Sequence, residues 1–143
     1  MLRGNYLARI DEKGRLKVPV PFKDELERSY KGEFWVTSPD GQYAWIYPME
    51  EWNKIEERLL TNPASSNLRR KFLDRTNYYG QVVRWDNQGR ILIPAVLREA
   101  AQIKGHVAVL GNLSYLTVRN NERYLAEITE NPITGEDLDA LGI

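Results

Sequence analysis

Two stretches of this chain place an aspartate, a glycine and an arginine at one spacing: DEKGR at 11–15 and DNQGR at 86–90. An aspartate opening such a turn can accept backbone N–H groups, and the glycine supplies the positive φ that closes a bulged hairpin. The arginine that follows offers a planar fork of donors, which suits a phosphate or, bidentately, O6 and N7 of guanine. Around the first stretch stand further cations, Arg9, Lys13 and Lys17, with Arg3 closer to the amino terminus. Alternation puts Arg15 and Lys17 on one strand face, Lys13 at the turn tip and Arg9 across the hairpin. Such a projecting ribbon is narrow enough to approach a major groove. On the residues alone, a surface hairpin carrying solubilising charge explains them equally well.

Other chemistry has little to work with. Cysteine is absent, which removes disulfides, thiolate metal sites and cysteine nucleophiles and fits a reducing compartment. No metal-ligand spacing, phosphate-binding loop or nucleophile elbow is present. His106, the single histidine, falls at a strand start and reads as an ordinary edge residue. Asp11 and Asp86 form a conceivable acid–base pair, but each already has a turn to cap. The glutamates at 50, 51, 56 and 57 read as a solvated helix face. The expectation is a non-enzyme with no catalytic residue, no metal and no cofactor.

The elements that must position these residues repeat. Laid over itself with a shift of 75, YLARIDEKGRLKVP (6–19) falls on QVVRWDNQGRILIP (81–94). With small gaps, PFKDEL (21–26) follows VLREAA (96–101), GEFWVT (32–37) follows GHVAVL (105–110), and 43–55 follows 115–128. Each copy reads as strand, tight turn, strand, short helix, strand, strand, longer helix. Pro19 and Pro94 end the second strands, and Pro48 is a favourable first helical residue. Trp52, Ile55 and Leu59 recur at helical spacing and are expected to be buried. Between the copies, Ser65 or Ser66 caps a linking helix with Leu68 and Phe72 as its apolar stripe and Arg69, Arg70 and Arg75 toward solvent. The expected division is a first copy at 1–60, the linking helix at 61–77, a second copy at 78–130 and an acidic tail at 131–143 that is mobile or loosely helical.

The alignment also separates shared from unshared charge. Arg9, Arg15 and Lys23 keep a basic partner in Arg84, Arg90 and Arg98, whereas Arg3, Lys13 and Lys17 meet Tyr78, Gln88 and Leu92. This suggests that the first copy faces nucleic acid and the second mainly builds an assembly. Asp11, Gly14, Asp86, Gly89 and Arg90 then hold structural or subunit-contact roles.

Composition permits this reading. A chain of 143 residues, 42% hydrophobic and 28% charged, can build one modest core, so wholesale disorder is not expected. No run approaches the length of a membrane span, and the charged start lacks the apolar core of a secretory signal. The formal net charge of zero argues mildly against a nucleic-acid binder. Its distribution matters more: residues 1–23 carry six bases against two acids, a net +4, while 24–60 and 120–143 each carry a net −5. A segregated surface can steer a phosphate backbone to one face.

Two D-x-x-x-R motifs, each followed by a strand, a proline and a helix, make the chain resemble the MraZ family over nearly its whole length. MLRGNYLARIDEKGRLKVP is similar to that family's opening and DNQGRILIP to its second motif. The resemblance implies an α+β, β-rich fold of two tandem swapped-hairpin copies with flanking helices, as in AbrB-like regulators and MazE-like antitoxins. It also implies a cytoplasmic, nucleoid-associated transcription factor that binds double-stranded DNA at direct repeats upstream of the division and cell-wall gene cluster, its own promoter included. A ring-like homo-oligomer, commonly an octamer, goes with it. Carried over by position, Asp11, Lys13, Arg15 and Arg3 face DNA, and Asp86 and Arg90 fall on the second motif. An antitoxin-like protein-interaction module using the acidic segment, with DNA binding secondary, is the alternative.

Overall fold

Alternating apolar residues, broken by glycine and proline, set the strands. The computed structural model describes every residue from Met1 to Ile143. The first copy runs β1 (Asn5–Ile10), β2 (Arg15–Lys17), α1 (Val20–Ser29), β3 (Glu33–Thr37), β4 (Ala44–Pro48) and α2 (Met49–Thr61). After α3 (Ser66–Tyr78) the second runs β5 (Gln81–Arg84), β6 (Arg90–Leu92), α4 (Ala95–Ala101), β7 (Gly105–Gly111), β8 (Leu116–Asn120) and α5 (Asn121–Glu130). A last helix, α6, covers Gly135–Ala140. The α+β, strand-rich class expected from the sequence is the one observed.

The strands do not stay within their copies. One antiparallel eight-stranded sheet runs β5-β3-β4-β8-β7-β1-β2-β6, and its ends β5 and β6 lie against each other in a nearly closed sheet. β1 pairs along its length with β7, and β5 pairs with β3. β1 and β2 meet only at Ile10 and Leu16, after which β2 crosses to pair with β6. The projecting β1–β2 ribbon of the sequence reading is therefore replaced by a ribbon with one strand from each copy. Closure explains the exchange, because partners from the other copy cover edges that a lone hairpin leaves open.

The core follows the repeat. Leu16 and Ile91, Val18 and Ile93, Phe22 and Leu97, and Phe34 and Val107 are all essentially buried in one cluster drawn from both copies. Burying a side chain of this size contributes about 1.5–3 kcal/mol, so neither copy would keep its share of that cluster alone. Pro19 and Pro94 lie just past the second strands and N-cap α1 and α4, whereas Pro48 closes β4 and N-caps α2 instead of being its first helical residue. In α2 only Trp52 is buried, stacked between Trp35 and Phe72, while Ile55 and Leu59 are half-buried. Ser65 caps α3 by accepting from Leu68 N–H. Phe72, Leu73 and Thr76 turn inward on that helix, leaving Leu68 58% exposed, so the expected stripe is shifted toward the carboxyl end. Arg75 and Arg70 are exposed, but Arg69 is half-covered and donates to the Asn62 carbonyl. The tail forms α6 with a Thr134–Asp137 capping box and buries nothing. No helix is long and apolar enough to cross a membrane.

Candidate nucleic-acid interface

Each D-x-x-G-R turn is held by one carboxylate. Asp11 Oδ1 accepts from Lys13 N–H at 3.0 Å and Arg15 N–H at 2.9 Å, and Oδ2 accepts from Arg15 Nε at 2.8 Å. Asp86 does the same with Gln88 N–H at 2.8 Å, Arg90 N–H at 3.0 Å and Arg90 Nε at 2.8 Å. These bonds act on ionisation. The Arg15 N–H bond, aided by the Arg15 guanidinium, holds the Asp11 carboxyl below its ordinary value. For Asp86 burial pulls upward, but the N–H groups of Arg90 and Gln88 together with the Arg90 guanidinium outweigh it and leave that carboxyl lowered too. Gly14 and Gly89 take φ of +84° and +72°, and a β-carbon at either would strike a cationic side chain. That side chain belongs to the other copy: Arg98 lies over Gly14 and Lys23 over Gly89.

The turns are tied to one platform by the β2–β6 ribbon. Its register sets Arg15 against Leu92, Leu16 against Ile91 and Lys17 against Arg90. The ladder continues into the turns, where Ile93 N–H donates to Gly14 O at 2.9 Å and Val18 N–H donates to Gly89 O at 3.1 Å. Leu16 and Ile91 are buried beneath, so period-two alternation turns Arg15, Lys17, Arg90 and Leu92 outward together. Arg90 Nη1 also comes within 3.7 Å of Asp11 Oδ2, which brings both motifs into one cluster. Each guanidinium is pinned through Nε, while its outer nitrogens keep donors to spare. An arginine fixed this way has already lost much of its rotamer freedom before any ligand arrives.

The remaining candidates divide. Lys13 and Lys17 are exposed on the same platform with no ion-pair partner. Arg9, likewise unpaired, lies opposite His106 in the β1–β7 ladder and lines a shallow groove with Lys17, Tyr6, Leu7 and Val20. Its counterpart Arg84 is instead bonded to Glu33 at 3.0 Å. Arg3 is not with the others. It sits at the far end of β1, beside the Leu2–Leu113 bridge, eight residues and roughly 25 Å of strand from Asp11. His106 is an exposed strand residue, and no cluster of His, Asp and Glu with metal-holding geometry occurs. Lys23 and Arg98, the cross-copy supports of the turns, were not picked out from sequence. Their only trace there is that both keep a positive charge at one aligned position.

The family model for "MraZ protein, putative antitoxin-like" matches residues 1–75 and 81–141, each segment containing one D-x-x-G-R turn. The transcriptional regulator MraZ of Acidobacterium capsulatum is 50% identical over 141 residues, covering 99% of this chain and 97% of its own. That of Koribacter versatilis is 53% identical over 147 residues, covering all of both chains. That of Neisseria meningitidis serogroup A is 32% identical over 131 residues, covering 91% and 87%.

Proposed function

The chain belongs to the MraZ family of transcriptional regulators, and from that premise we propose that it regulates by sequence-specific grip on duplex DNA through the β2–β6 platform. One observation carries this reading: two guanidiniums pinned by Asp11 and Asp86 stand on one exposed face among the unpaired cations Lys13, Lys17 and Arg9. Lysines there meet phosphates, and the arginines suit phosphate or guanine edges. The family resemblance points to direct repeats upstream of the division and cell-wall gene cluster, including the gene's own promoter, and to work in the cytoplasm at the nucleoid. Residues 1–60 supply most of the free charge and 78–130 chiefly the assembly surface, joined by 61–77 and followed by the acidic tail 131–143. Arg90 shares the outward face with Arg15, so the division of labour concerns the lysines more than the arginines. Arg3, remote from the platform, serves a neighbouring stretch of DNA or none.

Self-association into a ring, an octamer by family resemblance, fits this chemistry. One platform offers few phosphate contacts, and linked copies gain affinity through effective concentration without new contacts. Support comes from α5, an amphipathic helix with no buried side chain, whose Leu125 and Ile128 are 57% and 49% exposed. Ile133, Leu141 and Ile143 in the tail are more exposed still. The same acidic, apolar surface favours a second reading, an antitoxin-like module that holds another protein. A homogeneous self-oligomer on a sizing column favours the ring, and stoichiometric co-purification of a different protein favours the module.

The decisive experiment compares wild type and Arg15→Ala on the chain's own upstream DNA at two salt concentrations. Affinity should fall steeply with salt and collapse in Arg15→Ala, with melting temperature and oligomer size retained. Undiminished binding by that variant would refute the reading.

A further inference from the structure

The midpoint of the β2–β6 ribbon is a twofold axis of the backbone but not of the side chains. Rotation about Leu16 and Ile91 exchanges Arg15 with Arg90, which leaves the outward surface unchanged. It also exchanges Lys17 with Leu92, replacing an ammonium by an isobutyl group. At the turn tips the same operation exchanges Lys13 with Gln88. Leu92 is 38% exposed and stands outside the buried cluster, so packing does not account for it. Lys17 and Leu92 are diagonal neighbours across the ribbon, about 7–8 Å apart, which spans roughly two base-pair steps of duplex.

We propose that Leu92, together with Gln88, makes the platform directional, so that each protomer reads an element without internal twofold symmetry. The proposal rests on the DNA-binding reading above. An apolar side chain in a major groove matches the thymine methyl, and glutamine matches N6 and N7 of adenine, so this half favours A·T pairs. The Lys17 and Lys13 half takes phosphate, or O6 and N7 of guanine. With lysine at both places the two halves would match at these positions, Glu12 against Asn87 remaining the difference at the tips, and would favour an inverted repeat, as true twofold dimers do. A directional unit instead lets successive copies meet successive elements in one orientation.

Selection of full-length protein on randomised duplexes tests this, using wild type, Q88K/L92K and the reciprocal K13Q/K17L, each first checked by melting temperature. Wild type should enrich an asymmetric element, Q88K/L92K an inverted repeat of its lysine-facing half, and K13Q/K17L an inverted repeat of its A·T half. Exchanging T·A for C·G beneath Leu92 should weaken wild type roughly tenfold and Q88K/L92K less than about twofold. The proposal is overturned if wild type selects an inverted repeat, or if either folded variant keeps the wild-type asymmetric element. Enrichment of no sequence by wild type removes the DNA-binding reading and this inference with it. Sequence-selective binding whose asymmetry survives the exchanges removes the inference alone.

Discussion

The turns at 11–15 and 86–90 share a frame and differ in what they carry. Each has an aspartate accepting two N–H groups and a guanidinium, a glycine at positive φ, and a cation from the opposite copy pressed over that glycine. Outside the frame they part. Arg9, Lys13 and Lys17 have no ion-pair partner, whereas Arg84 is engaged by Glu33 and the other two positions hold Gln88 and Leu92. Duplication thus fixed the scaffold through backbone bonds, which tolerate little variation. The outward side chains, which bear no packing load, were free to diverge. A protein can in this way derive an asymmetric surface from a symmetric core.

The deepest test of the shared frame lies beneath it. Leu16→Ala and Ile91→Ala should each cost about 2–5 kcal/mol in denaturant unfolding, since both are fully buried under the ribbon. A large cost at one position only would show that the halves are not equivalent. Gly14→Ala and Gly89→Ala should follow at about 1–3 kcal/mol each, from backbone strain at positive φ, with displacement of Arg98 or Lys23 added. The difference between the turns is sharpened by exchanging their charge. Lys13→Ala should flatten the slope of log affinity against log salt by about 0.9, Gln88→Lys should steepen it by about 0.9, and Gln88→Ala should leave it unchanged. Equal slopes for all three would place the turn tips away from DNA.

The smallest effect is common to both turns. Asp11 and Asp86 are both depressed in the folded chain, so their contribution is complete above the ordinary aspartate value of 3.8. It is lost as the pH falls through the lowered values. Stability followed between pH 8 and pH 5 should show no change from these groups, with acid unfolding appearing below that window. Asp86→Asn and Asp11→Asn should blunt the acid transition to a similar degree, and a clear inequality between them would break the equivalence.

Much of this was written in local sequence. The spacing of Asp, Gly and Arg determined both turns, because side-chain bonds within five residues and a glycine at positive φ need no distant partner. Alternation determined that Leu16 and Val18 face inward while Arg15 and Lys17 face out, and the repeat determined that Leu16, Val18, Phe22 and Phe34 have buried counterparts in Ile91, Ile93, Leu97 and Val107. Local signals were weaker where they competed with packing. Leu68 has helical spacing to Phe72 yet lies exposed, since the face of α3 is chosen by Trp52 and Trp35 rather than by its own pattern.

Only the tertiary structure decided which strands share a ladder. Two copies that share one hydrophobic pattern can satisfy it by pairing within themselves or with each other, so pattern alone is degenerate. Closing the sheet favours exchange, and exchange set β2 beside β6. That pairing is what put Arg15, Lys17, Arg90 and Leu92 on one surface. The sequence determined the parts and their facing, and long-range pairing determined their company, because a strand's register with a remote partner depends on the whole closed core.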